Sequence, residues 1–298
     1  MTNREDISNA ATVLLTEPWD SYALLDSGEG RKLERFGRYV LDRPDSQALW
    51  PRTLSASEWS KASARFDAGK GDEERGRWST DLSPWVIKYG AVSAELSPTS
   101  FRHVGIFPEQ RVHWDFVSAE VKASEEPLKL LNLFGYTGMA SLIPAAEGAK
   151  VTHVDASKKS VTWARENQER SGIDAKAIRW IVDDAARFVA RERRREQRYD
   201  GIILDPPKYG RGPKGETWHL EEQLPSVLED CRALLDQDSC FLVLTAYATH
   251  LSAAGLHRLV ETEFGDLGGR IEHGEMALRD TGSGKILPTS MFVRWSRG

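Results

Sequence analysis

The sequence predicts an α/β chain: a doubly wound, mostly parallel sheet in the C-terminal part, preceded by a smaller, mainly β region. Two observations carry that expectation. After Ser124, Glu125, Glu126 and Pro127, short apolar runs alternate with longer helical patterns, the rhythm of βαβ units in a parallel sheet. Before that stretch, apolar and aromatic runs are shorter and are broken by Gly-rich turns. The boundary is expected there, giving domains 1–125 and 126–298. A chain of 298 residues has room for one full α/β domain and a small companion.

In the first region, Tyr22 to Trp50 carries a turn at Ser27, Gly28, Glu29 and Gly30 between apolar runs. The charged, Gly-rich stretch Gly69 to Arg77 reads as an exposed loop. WVIKYGAVSAEL, Trp85 to Leu96, alternates in part and predicts two strands paired around Gly90. Six of the ten tryptophans fall in this region. They read as aromatic packing in a small sheet, with a stacking surface for bases as the alternative.

In the second region the expected strands are Lys129–Phe134, Lys150–Asp155, Ala177–Val182, Gly201–Asp205 and Cys240–Ala246. Helical patterns separate them at Ser157–Ser171, Asp184–Gln197 and Glu216–Leu235. Arg270–Leu278 and Pro288–Trp295 add two strands joined by a turn at Gly282 and Gly284, for a seven-stranded sheet.

The composition, 40% hydrophobic and 29% charged, is that of an ordinary soluble globular protein. No apolar run approaches the ~18 residues that span a bilayer, so no membrane role is expected. Met1 to Asp6 mixes Arg4 with Glu5 and Asp6 and does not lead into a secretory signal, which makes the cytoplasm the expected location. Cys231 and Cys240 stand in no Cys/His cluster, so neither a disulfide framework nor a metal site is expected. The net charge of -5 argues against a protein that coats nucleic acid, while leaving room for a local positive groove. It also leaves self-association into a homo-oligomer open.

KLLNLFGYTGMAS, Lys129 to Ser141, is an apolar strand that breaks at Gly135 and Gly138 as a helical pattern begins. In open α/β sheets, ligands bind outside the carboxyl ends of the strands, where glycines let the backbone approach them. Alone, the glycine pair also fits a plain strand-to-helix turn. Asp155 adds a second feature: it ends HVDAS, twenty residues after Gly135, where a nucleotide-binding sheet places a carboxylate for ribose hydroxyls. A dinucleotide enzyme would share that carboxylate, but its fingerprint is Gly-x-Gly-x-x-Gly around a pyrophosphate. Here the loop is Phe134, Gly135, Tyr136, Thr137 and Gly138. A polar, aromatic loop suits S-adenosylmethionine (SAM), which has a sulfonium cation and no phosphate. Asn132, Phe134–Gly138, Asp155, Ala156 and Ser157 are therefore cofactor candidates. In IVDDAARF, Asp184, with Asp183 second, is a candidate acceptor for the adenine amino group; Asp183 as a helix N-cap is the alternative.

YDGIILDPPKYG, Tyr199 to Gly210, ends the fourth strand with Asp205, Pro206, Pro207, Lys208 and Tyr209. Two successive prolines stiffen the chain and hold the Asp205 carboxylate and the Pro206 carbonyl as acceptors at the sheet mouth, where they can orient a base amine. Asp205 is thus both a catalytic and a cofactor-site candidate. Lys208 suits a phosphate, and Tyr209 suits stacking on a base. Both also suit solvent-facing positions.

NLFGYTG, HVDAS, VDDA and DPPKY, in this order, resemble the SAM-dependent methyltransferases related to the ribosomal RNA large-subunit cytosine-5 methyltransferases. The resemblance runs from about Trp85 to the end. It implies a Rossmann-like class I methyltransferase sheet closed by an antiparallel hairpin, SAM as cofactor, and RNA, most naturally ribosomal RNA, as substrate. FRHVGIFPEQR, Phe101 to Arg111, is similar to the segment that precedes the first strand in that family, which makes Gln110 and Arg111 cofactor candidates. PEQRVHWDF also reads as the first turns of an amphipathic helix, in which Arg111 would serve a structural salt bridge. One departure stands out. The family's cysteine nucleophile follows the fifth strand, whereas LTAYATHLS, Leu244 to Ser252, contains no cysteine. Cys240, at the opposite end of that strand, reads as a core thiol.

The expected reaction is therefore direct, in-line methyl transfer to a nucleic-acid base, with Asp205 orienting the acceptor. A nicotinamide oxidoreductase, or a non-catalytic SAM- or RNA-binding protein on the same fold, is the rival. The run Arg191 to Arg198 reads as a solvated helix face. His103 and His113 are unassigned, and His250 is the histidine expected nearest the pocket.

Overall fold

The computed structural model describes residues 10–69, 72–247 and 249–297. Two compact units emerge. The smaller comprises Leu15–Val112 with Ala277–Thr289; the larger takes the rest of the described chain. This division departs from the expected one at 125/126 on two counts, each with a local cause. Helix residues 113–123 join the larger unit because His113 meets Phe292, Phe116 meets Phe241 and Ser118 donates to Glu147. Residues 277–289 join the smaller unit because Thr281 N–H donates to the Leu24 carbonyl and Lys285 Nζ to the Pro51 carbonyl. Met1 to Asp6 lies outside the described residues.

After the short strand β1 (Thr12–Thr16), the smaller unit carries β2 (Tyr22–Gly28), β3 (Arg31–Phe36), β4 (Tyr39–Pro44), the one-turn helix α1 (Ala56–Trp59), β5 (Ala64–Gly69) and β6 (Asp72–Trp78). Strands β2 to β6 form one sheet in chain order, and β7 (Trp85–Tyr89) pairs with β8 (Val92–Leu96) in a hairpin. The expected loop at Gly69–Arg77 is instead largely strand; Lys70 and Gly71 lie outside the described residues. Gly76 explains the pairing: a Cβ there would stand 2.1 Å from the Asp67 carbonyl oxygen, so only glycine lets β6 close on β5. Trp59 and Trp85 are buried, and the Trp59 indole donates to Asp26, which favours packing over a stacking surface.

Helix α2 (Arg111–Ala123) belongs to the larger unit from His113 on, and that unit continues with β9 (Lys129–Leu133), α3 (Met139–Ala146), β10 (Lys150–Asp155), α4 (Lys158–Arg170), β11 (Ile178–Val182), α5 (Ala185–Arg194) and β12 (Gly201–Leu204). A ribbon of β13 (Tyr209–Arg211) and β14 (Thr217–His219) follows, then α6 (Leu220–Arg232), β15 (Phe241–Ala246), α7 (Ala253–Phe264), β16 (Arg270–Arg279) and β17 (Ile286–Ser296). The main sheet runs β1-β16-β17-β15-β12-β9-β10-β11, with β9 to β12 and β15 parallel and β17 antiparallel to β15. It has eight strands rather than the expected seven, because β1 adds an edge strand. Strand order reverses between β9 and β12, the switch point at which such sheets bind ligands.

One face of this sheet is covered by α5, α6 and α7: Leu131, Leu133, Leu204 and Leu242 pack with Phe188, Leu224, Leu228 and Leu256. Each such side chain contributes roughly 1.5–3 kcal/mol when fully buried. Asn132 and His153 alternate to the opposite face and meet Ser141 of α3. Among the described residues no helix is long and apolar enough to cross a membrane.

Candidate functional site

Register fixes which residues share the carboxyl edge. Leu133 stands opposite Leu204 on one side and Val154 on the other, and Asp155 stands opposite Val182. Asp205, Phe134, Asp155 and Asp183 therefore occupy the ends of four adjacent strands.

The loop after β9 is held by its backbone. Phe134 and Tyr136, at φ 59 and φ 50, both adopt the left-handed conformation on either side of Gly135. Non-glycine residues resist it at about 1–2 kcal/mol each, a strain that persists where the surroundings enforce it. Two contacts do so. Gly135 N–H donates to the Val154 carbonyl at 3.1 Å, and Tyr136 N–H donates to Asp155 Oδ2 at 2.9 Å. Gly135 has no room for a side chain, since a Cβ would lie 2.3 Å from the His153 ring. Gly138, at φ 96, opens α3 and would bring a Cβ within 2.9 Å of the Ala164 methyl. Thr137 is buried, and its carbonyl accepts from Asn167.

Asp155 ties this loop to the next one, its other oxygen accepting the Ser157 N–H at 2.8 Å. Ser157 in turn caps α4 by accepting from Ser160 N–H, and half-buried Ala156 stands between Asp155 and Ser157. Burial pushes the Asp155 carboxyl above its ordinary range, against the two backbone N–H groups that favour its charged form. A carboxylate offers about four acceptor positions. Two are used by the backbone, leaving capacity for a pair of vicinal hydroxyls.

At the end of β11 the two aspartates divide differently from the expectation. Asp184, not Asp183, is the N-cap: it is buried and accepts the Arg187 N–H at 3.0 Å. Asp183 accepts Arg191 Nη1 at 2.8 Å, while its backbone N–H donates to the Asp155 carbonyl. The side chain preferred for adenine thus begins a helix, and the second choice stands nearer the edge.

After β12, Asp205 is half-buried and Pro206 buried, while Pro207, Lys208 and Tyr209 are exposed. Pro207 presents its carbonyl to the Trp218 indole N–H at 2.7 Å, and the Lys208 carbonyl accepts from Leu220 N–H at 3.0 Å. The Trp218 ring packs on Phe134, centroids 4.8 Å apart. The two loops are thereby fastened to each other. The start of the expected helix at Glu216 is displaced to Leu220, because Thr217–His219 pairs as a strand with Tyr209–Arg211.

The remaining candidates have partners of their own. Asn132 is buried in the core and donates to Ser141 Oγ. Gln110 and Arg111 belong to the smaller unit, where Gln110 is buried and Arg111 donates to the Glu17 and Pro18 carbonyls over the Trp19 and Tyr89 rings. His250 is exposed, its backbone N–H donating to Glu221; Ala248 beside it lies outside the described residues. Arg193 in the basic run pairs with Glu229 and Asp230 on α6, and Arg191 with Asp183, so that helix face is bound to its neighbours.

Sequence reasoning missed two supports. Asn132 donates to Ser141 Oγ at 2.8 Å, and Ser141 Oγ lies 2.9 Å from His153 Nδ1. Because Ser141 accepts from Asn132, its hydroxyl proton is free for His153. Burial pushes the His153 ring down to about 3, so the imidazole is neutral and props the loop at Gly135. Its position in HVD, two before Asp155, was the available signal. Trp218 is the other, hidden inside what read as a helix.

The donor set suits SAM: a carboxylate for ribose hydroxyls, an aromatic loop and further acidic side chains. No family model matches the chain. It is similar to the ribosomal RNA large subunit methyltransferase K/L of Shewanella frigidimarina, 29% identical over 65% of this chain and 26% of that protein. It is also similar to the ribosomal RNA large subunit methyltransferase I of Aeromonas salmonicida, 30% identical over 44% of this chain and 32% of that protein. The chain thus spans less than a third of the length of these relatives. A solved structure, the SAM-dependent methyltransferase of Agrobacterium tumefaciens, matches with a TM-score of 0.92 and 44% identity over 96% of this chain and 94% of that one. On that agreement the chain belongs to the SAM-dependent methyltransferases.

Proposed function

We propose that this enzyme methylates a base in RNA, with ribosomal RNA as the acceptor, by direct in-line transfer. The observation that carries the reading is the Asp205-Pro206-Pro207-Lys208 turn at the end of β12, one strand from the glycine loop. It stands where a planar acceptor would meet the cofactor. The names of the two ribosomal RNA methyltransferases support the choice of RNA, and that acceptor implies the cytoplasmic location expected from the sequence.

SAM supplies an electrophilic methyl group on its sulfonium. Within this reading Asp155 accepts the ribose hydroxyls, and the Phe134–Gly138 loop encloses the amino-acid portion and sulfonium. Asp183, closer to the edge than the capping Asp184, faces the adenine. The Asp205 carboxylate and the Pro206 carbonyl accept hydrogen bonds from the acceptor amine and hold its lone pair in line with the methyl group; the carbon–sulfur bond would break as the carbon–nitrogen bond forms, the sulfur leaving as a neutral thioether and the surplus proton on nitrogen passing to the Asp205 carboxylate or to solvent. Alignment of this kind contributes up to about 7–11 kcal/mol of barrier lowering. Lys208 meets a phosphate and Tyr209 a base face.

The thiols support a route without a cysteine nucleophile. Cys231 is buried in α6 with its thiol pushed far up by burial, and Cys240 precedes β15 at the end away from the carboxyl edge.

The test has two parts. Purified protein with radiolabelled SAM should label ribosomal RNA, and mass mapping of nucleosides from cells with and without the protein should show one modified base missing. Asp205→Ala should lower kcat on the order of 10²–10³-fold with SAM affinity nearly unchanged, the scale of losing one preorganised polar contact in the transition state. Labelling confined to protein, or unchanged nucleosides, would refute the RNA reading.

A further inference from the structure

The β13–β14 ribbon has two chemically different faces. Its register pairs Tyr209 with His219, Gly210 with Trp218 and Arg211 with Thr217. Successive side chains on a strand point to opposite faces. Trp218 is buried and is the anchor, bonded to the Pro207 carbonyl and packed on Phe134. Tyr209, Arg211, Thr217 and His219 take the other face, and all four are exposed.

That outer face is organised. The Tyr209 ring meets His219 edge-on with centroids 5.1 Å apart, and the Tyr209 hydroxyl accepts from Arg211 Nε at 3.2 Å. Imidazole, phenol and guanidinium thus stand in one row. Lys208 precedes the ribbon and Lys214 lies in its turn, both exposed. The ribbon's one carboxylate, Glu216, is turned toward α5, where it accepts from Arg187 and from the Lys214 backbone N–H. Positive charge and ring faces are left toward solvent.

We propose that the outer face of this ribbon is the docking surface for single-stranded RNA flanking the methylated base, with Arg211 on a phosphate and His219 and Tyr209 against neighbouring bases. The assignment rests on the RNA reading above and adds to it the form of the substrate. Cations alone would suit any polyanion. Exposed rings beside them suit a strand whose bases are unpaired, because a duplex keeps its base faces stacked inside. An acidic peptide would meet the charges but leave the rings unused. The anchored inner face gives the platform its rigidity, since Trp218 ties it to the loop that carries Asp205.

The experiment measures binding of a dye-labelled single-stranded RNA oligonucleotide to the full chain by fluorescence anisotropy across a salt series. It compares the wild type with Arg211→Gln, Arg211→Lys and His219→Ala, and includes the duplex form of the oligonucleotide. Calorimetry with SAM and thermal melts run in parallel. Arg211→Gln should weaken binding 3- to 10-fold and flatten the slope of log K against log salt by about 0.7, the loss of one phosphate contact on a single strand. Arg211→Lys should restore the slope. His219→Ala should weaken binding similarly with the slope unchanged, and the duplex should bind less tightly than the single strand. SAM affinity and melting temperature should match the wild type throughout. If the wild type methylates RNA but the Gln and Ala variants bind the strand with unchanged affinity and slope, the ribbon assignment fails alone. If the wild type neither binds nor methylates RNA and instead labels a protein fraction, the RNA reading falls and takes this assignment with it.

Discussion

The loops after β9 and β12 stand side by side on the sheet edge and are built in opposite ways. The first is fixed from below through its backbone: Gly135 rests on the His153 ring, and Asp155 receives amides from Tyr136 and Ser157. The second is fixed from the side through the Trp218 indole and the Leu220 amide, with the Lys208 and Tyr209 side chains turned to solvent. A loop that encloses an invariant cofactor tolerates almost no change in shape. A loop that receives a macromolecular acceptor needs a rigid root and a free tip. The glycine loop is therefore where small changes should hurt most, and the ribbon is where changes should alter the acceptor and spare the cofactor.

The strongest way to break that contrast is Gly135→Ala. Its methyl would overlap the His153 ring, at about 1–3 kcal/mol in stability, and should lower SAM affinity at least 10-fold by calorimetry. His153→Ala in the same chain should recover part of the loss; no recovery would show that the loop is not propped by this ring. Next is Asp155→Asn, which turns one of the two carboxylate oxygens, each holding one backbone amide, into an NH2 donor and weakens the proposed ribose contact. SAM binding should weaken about 10-fold, within the roughly 1–3 kcal/mol of a broken buried hydrogen bond. The pH dependence sharpens this test. The Asp155 proton is held to higher pH than on an ordinary aspartate, and the charged form is the better acceptor. Wild-type affinity should therefore decline as pH falls into the acid range, and the Asn variant should lose that dependence. For the second loop, Trp218→Phe keeps the ring against Phe134 but deletes the donor to Pro207. It should cost about 1 kcal/mol in stability and reduce kcat several-fold with SAM affinity unchanged. The smallest effect is expected at Asp184→Ser, which preserves a helix cap and should alter stability by a few tenths of a kcal/mol without affecting SAM. A large loss of cofactor binding there would return Asp184 to the adenine site.

These features were unequally legible. Lys129–Leu133, Lys150–Asp155 and Gly201–Leu204 stood out because each is a short apolar run ended by glycine, aspartate or proline, so the carboxyl edge could be located by pattern alone. Strand pairing between distant segments leaves no such trace. Thr12–Thr16 is only five residues long, and its edge position comes from long-range pairing within the main sheet. Thr217–His219 sits against a helical stretch whose periodicity absorbed it, which concealed both the ribbon and its anchor. Asp183 and Asp184 share one motif, and only the geometry of the turn decided which would cap α5. The domain boundary moved because α2 is amphipathic toward the larger unit, and amphipathic spacing does not name its partner.

The segment Ala277–Thr289 has a consequence for how the molecule is made. It completes the smaller unit, yet it is synthesised after the 164 residues from His113 to Met276. At roughly 5–20 residues per second, a ribosome would hold the first unit unfinished for about 8–33 seconds while the larger unit emerges and begins to organise. A nascent chain released before Thr289 should keep its early strands open to protease. The order of manufacture and the order of completion are therefore inverted in this enzyme.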